Sequence, residues 1–574
     1  MGRVWGRGHS TTTTGHSTQF TAQPSTGRRR PRRWGQQMGC ILSLARSRAA
    51  VVETQLSTGH LSDERGNEET TGASPHDAID GEQAAASFIE PSSIFALLEP
   101  VVPGGLPPVR LLDSAWLLER ALKLEAAATD AEREALAVPC RQDLERLHPE
   151  AFLSVEQCRA LAVHDQAHGY WQPTGALAIG SVSHAWLEPH HPDRHGRQLV
   201  KLASILRAAQ RKQLPRQQTG WDAKAPRRHG YVQLPAQCGL FYDWASLCQA
   251  QKAADGSVLV ERTSAERAAF SHAINCMQLW YAHQKLFAVL LTELPDGCTA
   301  PPYDARGWPT VERAWTMLAK PNNMSCWPMV YEVGRSSGEA TRTAPMHPDR
   351  LDRLLESKRF TSAKADRPLV SRLYRETCTL VLGEATKLSF GESGWSDYDI
   401  VSFSEVLPLS MRCQKLNLGR NACGDTGASA LAWAADCGAA LRLLTVLALN
   451  DNAIGELGCE AIAEAALRGA FPQLRHLFLM NNRIGSQGTS ALARALHAGA
   501  LPELLELHLH GNPATGITAP LCRFWSSGKC NKGAECGFRH GAPPAKPATW
   551  QELERVCQAR RPKVALWREP GGAQ

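Results

Sequence analysis

A chain of 574 residues is too long for a single core, and a prior of one domain per ~150 residues points to three or four units with linkers. Hydrophobic residues make up 43% and charged residues 21%, the proportions of a globular protein. No apolar run approaches the ~18 residues a membrane span needs, so composition excludes an integral helical membrane protein.

The formal charge of +7 is unevenly distributed. Nine Arg and no acid give residues 1–50 a charge of +9, ten Lys and Arg against four Glu give residues 521–574 a charge of +6, and residues 51–520 are left with −8. A polyanion would therefore meet the two ends and not the acidic middle. Of the 17 Cys, three fall in one motif near the C-terminus and 14 are scattered without a disulfide rhythm, as expected for reduced thiols in the cytoplasm or nucleus.

Residues 1–78 are rich in Gly, Ser, Thr and Arg, cluster Arg28, Arg29, Arg30, Arg32 and Arg33, and lack apolar periodicity, which predicts a disordered basic leader. Their composition also resembles an organelle transit peptide, and the Arg cluster suits a nuclear signal. Met38-Gly-Cys-Ile-Leu-Ser43 satisfies an N-myristoylation pattern with Cys40 as a neighbouring palmitoylation site, so a membrane tether is expected only if translation starts at Met38. A chance match in a linker is the alternative.

Residues 79–165 read as a helical region, with helices over Ser114–Leu124 and Asp130–Leu136 broken by Pro103, Pro107 and Pro108. Over residues 166–340 short apolar runs alternate with helical ones. Strands are predicted within Ala176–Leu187, Gly239–Leu247, Leu286–Leu294 and Met329–Val333; helices are predicted over Gln198–Lys212 and over Ser264–His283, the latter opened by a Thr263/Glu266 capping box. That alternation implies a parallel sheet, whose working residues sit beyond the C-terminal ends of its strands. Four motifs fall at such positions: Ser183-His-Ala-Trp186, Asp243-Trp-Ala-Ser-Leu-Cys-Gln249, Met277 with Tyr281, and Arg306-Gly-Trp-Pro-Thr-Val-Glu312.

In order and spacing these motifs resemble the heterokaryon-incompatibility (HET) domain, over residues 175–335. HET domains in turn resemble the TIR fold, a doubly wound α/β signalling module in which some members hydrolyse NAD with a glutamate on a helix. The resemblance makes Glu312 the catalytic position and Asp243 the nearest second acid; a carboxylate there would stabilise the oxocarbenium-like cation of nicotinamide–ribose cleavage. His184, Ser246 and Cys248 depart from the family's Tyr, Cys and Asn. The alternative reading makes Arg306 and Glu312 a structural ion pair and Trp186, Trp244 and Trp308 core residues. His190, His191 and His195, in an insertion after the first strand, are either metal ligands or members of a polar loop.

Residues 345–384 read as a helical cap or linker. Over residues 385–516 a unit recurs as Leu416-Asn-Leu418 with Asn421, Leu447-Ala-Leu449 with Asn452, Leu477-Phe-Leu479 with Asn482, and Leu507-His-Leu509 with Asn512, at intervals of 31, 30 and 30 residues. This resembles the ribonuclease-inhibitor-like leucine-rich repeat, with a degenerate first strand at Leu388-Ser-Phe390. The resemblance implies a short solenoid whose open face presents Phe478, Met480 and His508 to a protein partner, or a rigid spacer.

Near the C-terminus, Cys522, Cys530, Cys536 and His540 recur as C-x7-C-x5-C-x3-H within residues 518–542. Three thiolates and an imidazole on so short a loop suit one structural Zn²⁺ in a tetrahedron. The spacing resembles the CCCH zinc-finger family, most members of which bind single-stranded RNA. Phe524, Trp525 and Phe538 offer stacking faces among Arg523, Lys529, Lys532 and Arg539, the combination that unstacked bases need; alternatively the aromatics form the finger's own small core. Residues 543–574 read as a basic C-terminal tail.

The sequence thus predicts a multidomain α/β protein: a TIR-like parallel-sheet domain, a leucine-rich-repeat solenoid, a small CCCH zinc finger and a disordered N-terminus. Its expected function is a zinc-binding, RNA-binding adaptor with a protein-interaction surface; the alternatives are a defence protein that hydrolyses NAD and a non-catalytic scaffold. No G-x-x-x-x-G-K-[ST] loop accompanies the repeats.

Overall fold

The computed structural model describes residues 86–163, 176–211, 233–253, 255–318, 320, 327–333, 342–437, 440–516, 545–569 and 572–573. The leader 1–78, the Met38 motif and the finger 518–542 lie outside them.

Five strands form the first sheet: β1 (Leu112–Asp113), β2 (Ile179–His184), β3 (Gly239–Phe241), β4 (Phe287–Leu291) and β5 (Val330–Glu332), in the order β1-β3-β2-β4-β5. Strands β3, β2, β4 and β5 are parallel, and β1 runs antiparallel along the β3 edge. Every residue of β2 and β4 is buried, as expected of parallel strands covered on both faces. The expected helix over 264–283 is two, Ser264–Asn275 and Met277–Ala282, because Cys276 leaves the helical range at φ −112°, ψ 12°. Its capping box is formed: Thr263 N donates to Glu266 Oε2 at 2.7 Å and Glu266 N to Thr263 Oγ1 at 3.2 Å.

The boundary expected near residue 165 dissolves. The segment read as a separate helical region supplies the edge strand β1 and packs Leu112, Leu117 and Leu144 into the core of the α/β domain. Arg141 is fully buried there, donating to the Pro108 and Ser246 carbonyls at 3.1 and 3.4 Å and to Glu145 at 3.0 Å. Periodicity showed the helices but not that a two-residue strand between them would find the sheet.

The second sheet is built from the repeats: β6 (Lys387–Ser389), β7 (Lys415–Asn417), β8 (Val446–Ala448), β9 (His476–Phe478), β10 (Glu506–His508) and β11 (Ala565–Glu569) are parallel and adjacent in that order, with β12 (Gly572–Ala573) antiparallel on β11. Leu388, Leu416, Leu447, Leu477, Leu507 and Leu566 pair in register, and all are buried. Each turn asparagine bridges two repeats. Asn482 Nδ2 donates to the Leu449 and Leu479 carbonyls at 2.8 and 3.0 Å while its Oδ1 accepts from Ile454 N at 3.0 Å; Asn421, Asn452 and Asn512 repeat the pattern. Carboxylates form a parallel ladder on the helix side. Asp397 accepts from Gly424 N and Gly427 N, Asp425 from Gly455 N and Gly458 N, and Glu456 from Gly488 N, so each helix start caps the next. The close approach requires glycine: a Cβ on Gly458 would stand 2.8 Å from Asp425 Oδ1 and 2.9 Å from Ala428 Cβ.

The helices Pro348–Glu356 and Ala363–Gly383 join the two sheets. The second buries Val370, Leu373, Tyr374, Cys378, Val381 and Leu382 in one contiguous core that runs from Trp315 of the α/β domain through Leu388 of the first repeat to Leu566.

The basic tail expected over 543–574 is instead the last layer of the repeats. Helix Ala548–Ala559 buries Trp550, Leu553, Val556 and Cys557, and β11 adds a sixth parallel strand. Two of its cations are structural: Arg568 donates twice to the Thr515 carbonyl at 2.9 and 2.6 Å, and Arg560 donates to the Leu496, Ala500 and Leu501 carbonyls at the end of the preceding helix. Truncation after residue 544 is expected to uncover Leu507 and Leu509, giving rapid amide exchange across β10 and a lower melting temperature. Protection of β10 equal to that in the full chain would contradict this role.

Candidate functional site

In the order β3-β2-β4-β5 the chain leaves β2 in both directions, so the crevice at its C-terminal end is the topological switch point where α/β sheets place ligands. Ser183 and His184 end β2, Asp243 follows β3, and Glu312 lies on the helix Gly307–Thr316 that follows β4. The four sequence motifs do meet at this end of the sheet. Because adjacent strand residues face opposite ways, they meet as two clusters and not one.

On one face, Ser183 Oγ donates to Glu312 Oε2 at 2.5 Å and lies 2.6 Å from the Tyr303 hydroxyl, which is 3.1 Å from the Pro309 carbonyl. Tyr281 donates to the Val182 carbonyl at 3.2 Å beside them. Glu312 is only 6% exposed. Burial pushes its carboxyl up to about 8, with the Asp243 charge reinforcing and the Ser183 hydrogen bond and the His184 charge opposing. At neutral pH this acid keeps its proton.

On the other face, His184 Nε2 meets Asp243 Oδ1 at 2.8 Å, Trp186 Nε1 donates to Asp243 Oδ2 at 2.9 Å, and Trp244 N donates to Asp243 Oδ1 at 2.7 Å. His184 stacks on Tyr242 with centroids 4.5 Å apart. Burial by itself would lower the imidazole and raise the carboxyl. Their mutual attraction wins in both, raising His184 and lowering Asp243.

The remaining motif residues are engaged elsewhere. Arg306 Nε donates to the Pro301 carbonyl at 2.9 Å, so the expected Arg306–Glu312 ion pair is replaced by the Ser183–Glu312 bond. Met277 is core, Gln249 donates to the Asp243 carbonyl at 3.0 Å, and Trp244 donates to the Val138 carbonyl at 2.9 Å. The loop histidines diverge: His190 faces Glu188, His191 faces the Val138 carbonyl and the ring of Trp244, and His195 faces Asp130 and Glu134. Among the described residues no group of three His, Cys, Asp or Glu side chains is placed to hold a metal ion. Nor is any described helix long and apolar enough to cross a membrane.

On the open face of the repeat sheet, Phe478, Met480 and His508 are half-buried. The structure adds three residues to them. Trp567 of β11 stacks on His508 with centroids 4.7 Å apart, Phe478 stands 4.7 Å from His508 on its other side, and Glu506 Oε2 lies 3.2 Å from both His476 Nδ1 and His508 Nε2. Trp567 was hidden in the sequence: Leu566-Trp-Arg568 stands in register with Leu507-His-Leu509, so an arginine replaces the second leucine, and residues 518–542 separate it from the other units. The finger ligands Cys522, Cys530, Cys536 and His540, and with them Arg523, Phe524, Trp525, Lys529, Lys532, Phe538 and Arg539, lie outside the described residues.

Comparison with known proteins adds one family. The leucine-rich repeat family, described as "Leucine Rich repeat", matches residues 414–432 and 440–463. No curated protein matches the chain. A solved structure titled "Leiomodin-1 Actin-Binding Site 2 (ABS2)" is similar at 22% identity over 21% of this chain and 70% of that chain, with a TM-score of 0.18, a likeness too slight to carry an argument.

Two predictions follow from the buried clusters. Between the ordinary glutamate value and about 8, the folded chain holds on Glu312 a proton that the unfolded chain lacks, so this group's contribution to stability falls by about 1.4 kcal/mol per pH unit as pH rises. Glu312→Gln removes that slope, and the melting-temperature difference is expected to move in the variant's favour from about pH 5 to about pH 8; a difference flat with pH would mean the acid is ionised in the fold. Asp243→Asn removes the carboxylate that holds His184, Trp186 Nε1 and Trp244 N, and is expected to cost about 3–5 kcal/mol in urea unfolding followed by tryptophan fluorescence. A cost within about 1 kcal/mol would show the pair to be solvated.

Proposed function

We infer that the chain is a modular, non-catalytic adaptor, active in the cytoplasm or nucleus. The leucine-rich repeats suggest a protein-interaction role, and the observation that carries this reading is the aromatic and histidine cluster on their open face, beside a segment matching that family. In this reading the repeats form a short solenoid, and the α/β domain, whose strand order supports a TIR-like architecture, is a rigid body packed on its first repeat.

The second half of the adaptor is the CCCH loop. Cys522, Cys530, Cys536 and His540 would hold one structural zinc, and Phe524, Trp525 and Phe538 would stack single-stranded RNA, with Arg523, Lys529, Lys532 and Arg539 on its phosphates. Supporting this, the loop leaves and re-enters the fold at one point: a Cβ at Gly516 would stand 3.2 Å from Pro547 and 3.6 Å from the Ala545 carbonyl. A loop closed at its base can fold on its own metal without disturbing the repeats.

NAD hydrolysis by Glu312 is disfavoured on physical grounds. A carboxyl that is enclosed, protonated at neutral pH and hydrogen-bonded to Ser183 is neither charged nor accessible enough to stabilise a ribosyl cation.

Chelating zinc from the full chain is expected to weaken its binding to a single-stranded RNA library by about tenfold or more, as is Cys530→Ser, whereas Trp525→Ala should keep zinc and lose RNA. Filter binding at two salt concentrations separates phosphate contacts from stacking. Unchanged RNA affinity in all three cases removes the finger's role.

A further inference from the structure

The open face of the repeat sheet is divided in chemistry. Its N-terminal strands carry Lys387 and Ser389, Lys415 and Asn417, Val446 and Ala448 at the equivalent positions, of which Asn417, Val446 and Ala448 are buried. Its C-terminal strands present His476 and Phe478, Glu506 and His508, Ala565 and Trp567, with no Lys or Arg among them. Side chains in register across parallel strands stack along the sheet, so Phe478, His508 and Trp567 form one aromatic ridge standing out of it.

Glu506 is the acid between the two histidines. Its side chain is 36% exposed, and its carboxylate lies in the angle between His476 and His508. Burial pushes the His508 imidazole below its ordinary value, and the two rings hold the Glu506 carboxylate below the usual glutamate range. At the inner end of the ridge, Phe478 pairs in register with Ala448 and lies near-parallel to the His476 ring, centroids 6.4 Å apart. A negative charge beside aromatic rings is the combination that a guanidinium or ammonium group recognises, by charge-assisted hydrogen bonds to the carboxylate and by contact with the ring faces.

Resting on the protein-interaction role inferred above, we propose that the C-terminal half of the open face, Phe478, Glu506, His508 and Trp567, docks a protein segment that presents an arginine or lysine flanked by an apolar residue. The cation meets Glu506, and the apolar neighbour covers the ridge formed by Phe478, His508 and Trp567. Trp567 comes from beyond the CCCH loop, so the docking site is complete only when the chain has returned to the sheet as β11.

The test is selection of a random dodecapeptide phage library on the full chain, with synthetic copies of the enriched peptides titrated by fluorescence anisotropy. The expected result is a shared Arg or Lys next to an apolar residue, with about tenfold weaker binding when that cation is changed to Gln or when the protein carries Glu506→Gln. The Gln side chain keeps the shape and the acceptor toward the histidines, so this variant should melt with the wild type, and Trp567→Phe serves as a second variant that keeps the ridge filled. Enriched peptides without a basic residue, but weakened by Phe478→Ala, would overturn the cationic partner and leave the interaction role standing. Peptides insensitive to every face variant, or no enrichment, would overturn both.

Discussion

A stack of leucine-bearing strands has two open ends, and closing them governs the architecture of the described chain. Each repeat buries its leucines only against its neighbours, so the first and last layers expose apolar surface unless something of different sequence covers them. At the N-terminal end the cover is aromatic and helical. Phe390, Trp395 and Phe403 pack with centroids 4.7–5.4 Å apart, and the helix Ala363–Gly383 lies across them toward the α/β domain. At the C-terminal end, Trp550, Leu553, Val556 and Leu566 do the same work. The α/β domain is thereby part of the first cap, which is why one core runs through both sheets.

The switch point of the α/β sheet shows how acids are held at a buried strand end. Ser183, His184, Asp243 and Glu312 occupy the loops and strand ends where α/β proteins work, yet each already has its partner inside the protein. Glu312 gives up its charge to be buried, whereas Asp243 is held below the usual carboxylate range by His184 and by the Trp186 and Trp244 N–H groups. These are the two solutions open to an acid removed from water. Strand alternation keeps them apart: His184 carries the bond to Asp243 to one face of β2 and Ser183 the neutral cluster to the other, so the two acids read together from the sequence do not form a dyad.

Local signals were read reliably from the chain. The Thr263/Glu266 capping box, the strands at 179–184 and 287–291 and the 30-residue leucine period all stand where periodicity placed them, because each is decided within a few residues of chain. What stayed hidden was pairing across distance. Leu112–Asp113 is too short to read as a strand until β3 lies beside it, and Leu566-Trp-Arg568 is separated from its repeat by the CCCH loop. Charge misled for a related reason: Arg560 and Arg568 count as a basic tail in composition, but their guanidinium groups are held by backbone carbonyls. Formal charge reports what a residue carries and not what it faces.

The position of the CCCH loop follows from the same geometry. A long insertion is tolerated where both ends emerge together at the surface, since closing a loop costs little more as it lengthens. The turn after Asn512 meets that condition, with Gly516 at φ +67°, the left-handed region glycine favours, against Pro547. The insertion falls between the last leucine strand of the repeats and the helix that covers it, so the cap can form only after the chain has passed through the loop. Strand β11 then holds the arrangement from both sides: Trp567 faces outward on the open sheet, and the next residue, Arg568, reaches the Thr515 carbonyl at the loop's base. The open face of the repeat sheet and the point where the chain leaves it after Thr515 are thereby fixed by adjacent residues of one short strand.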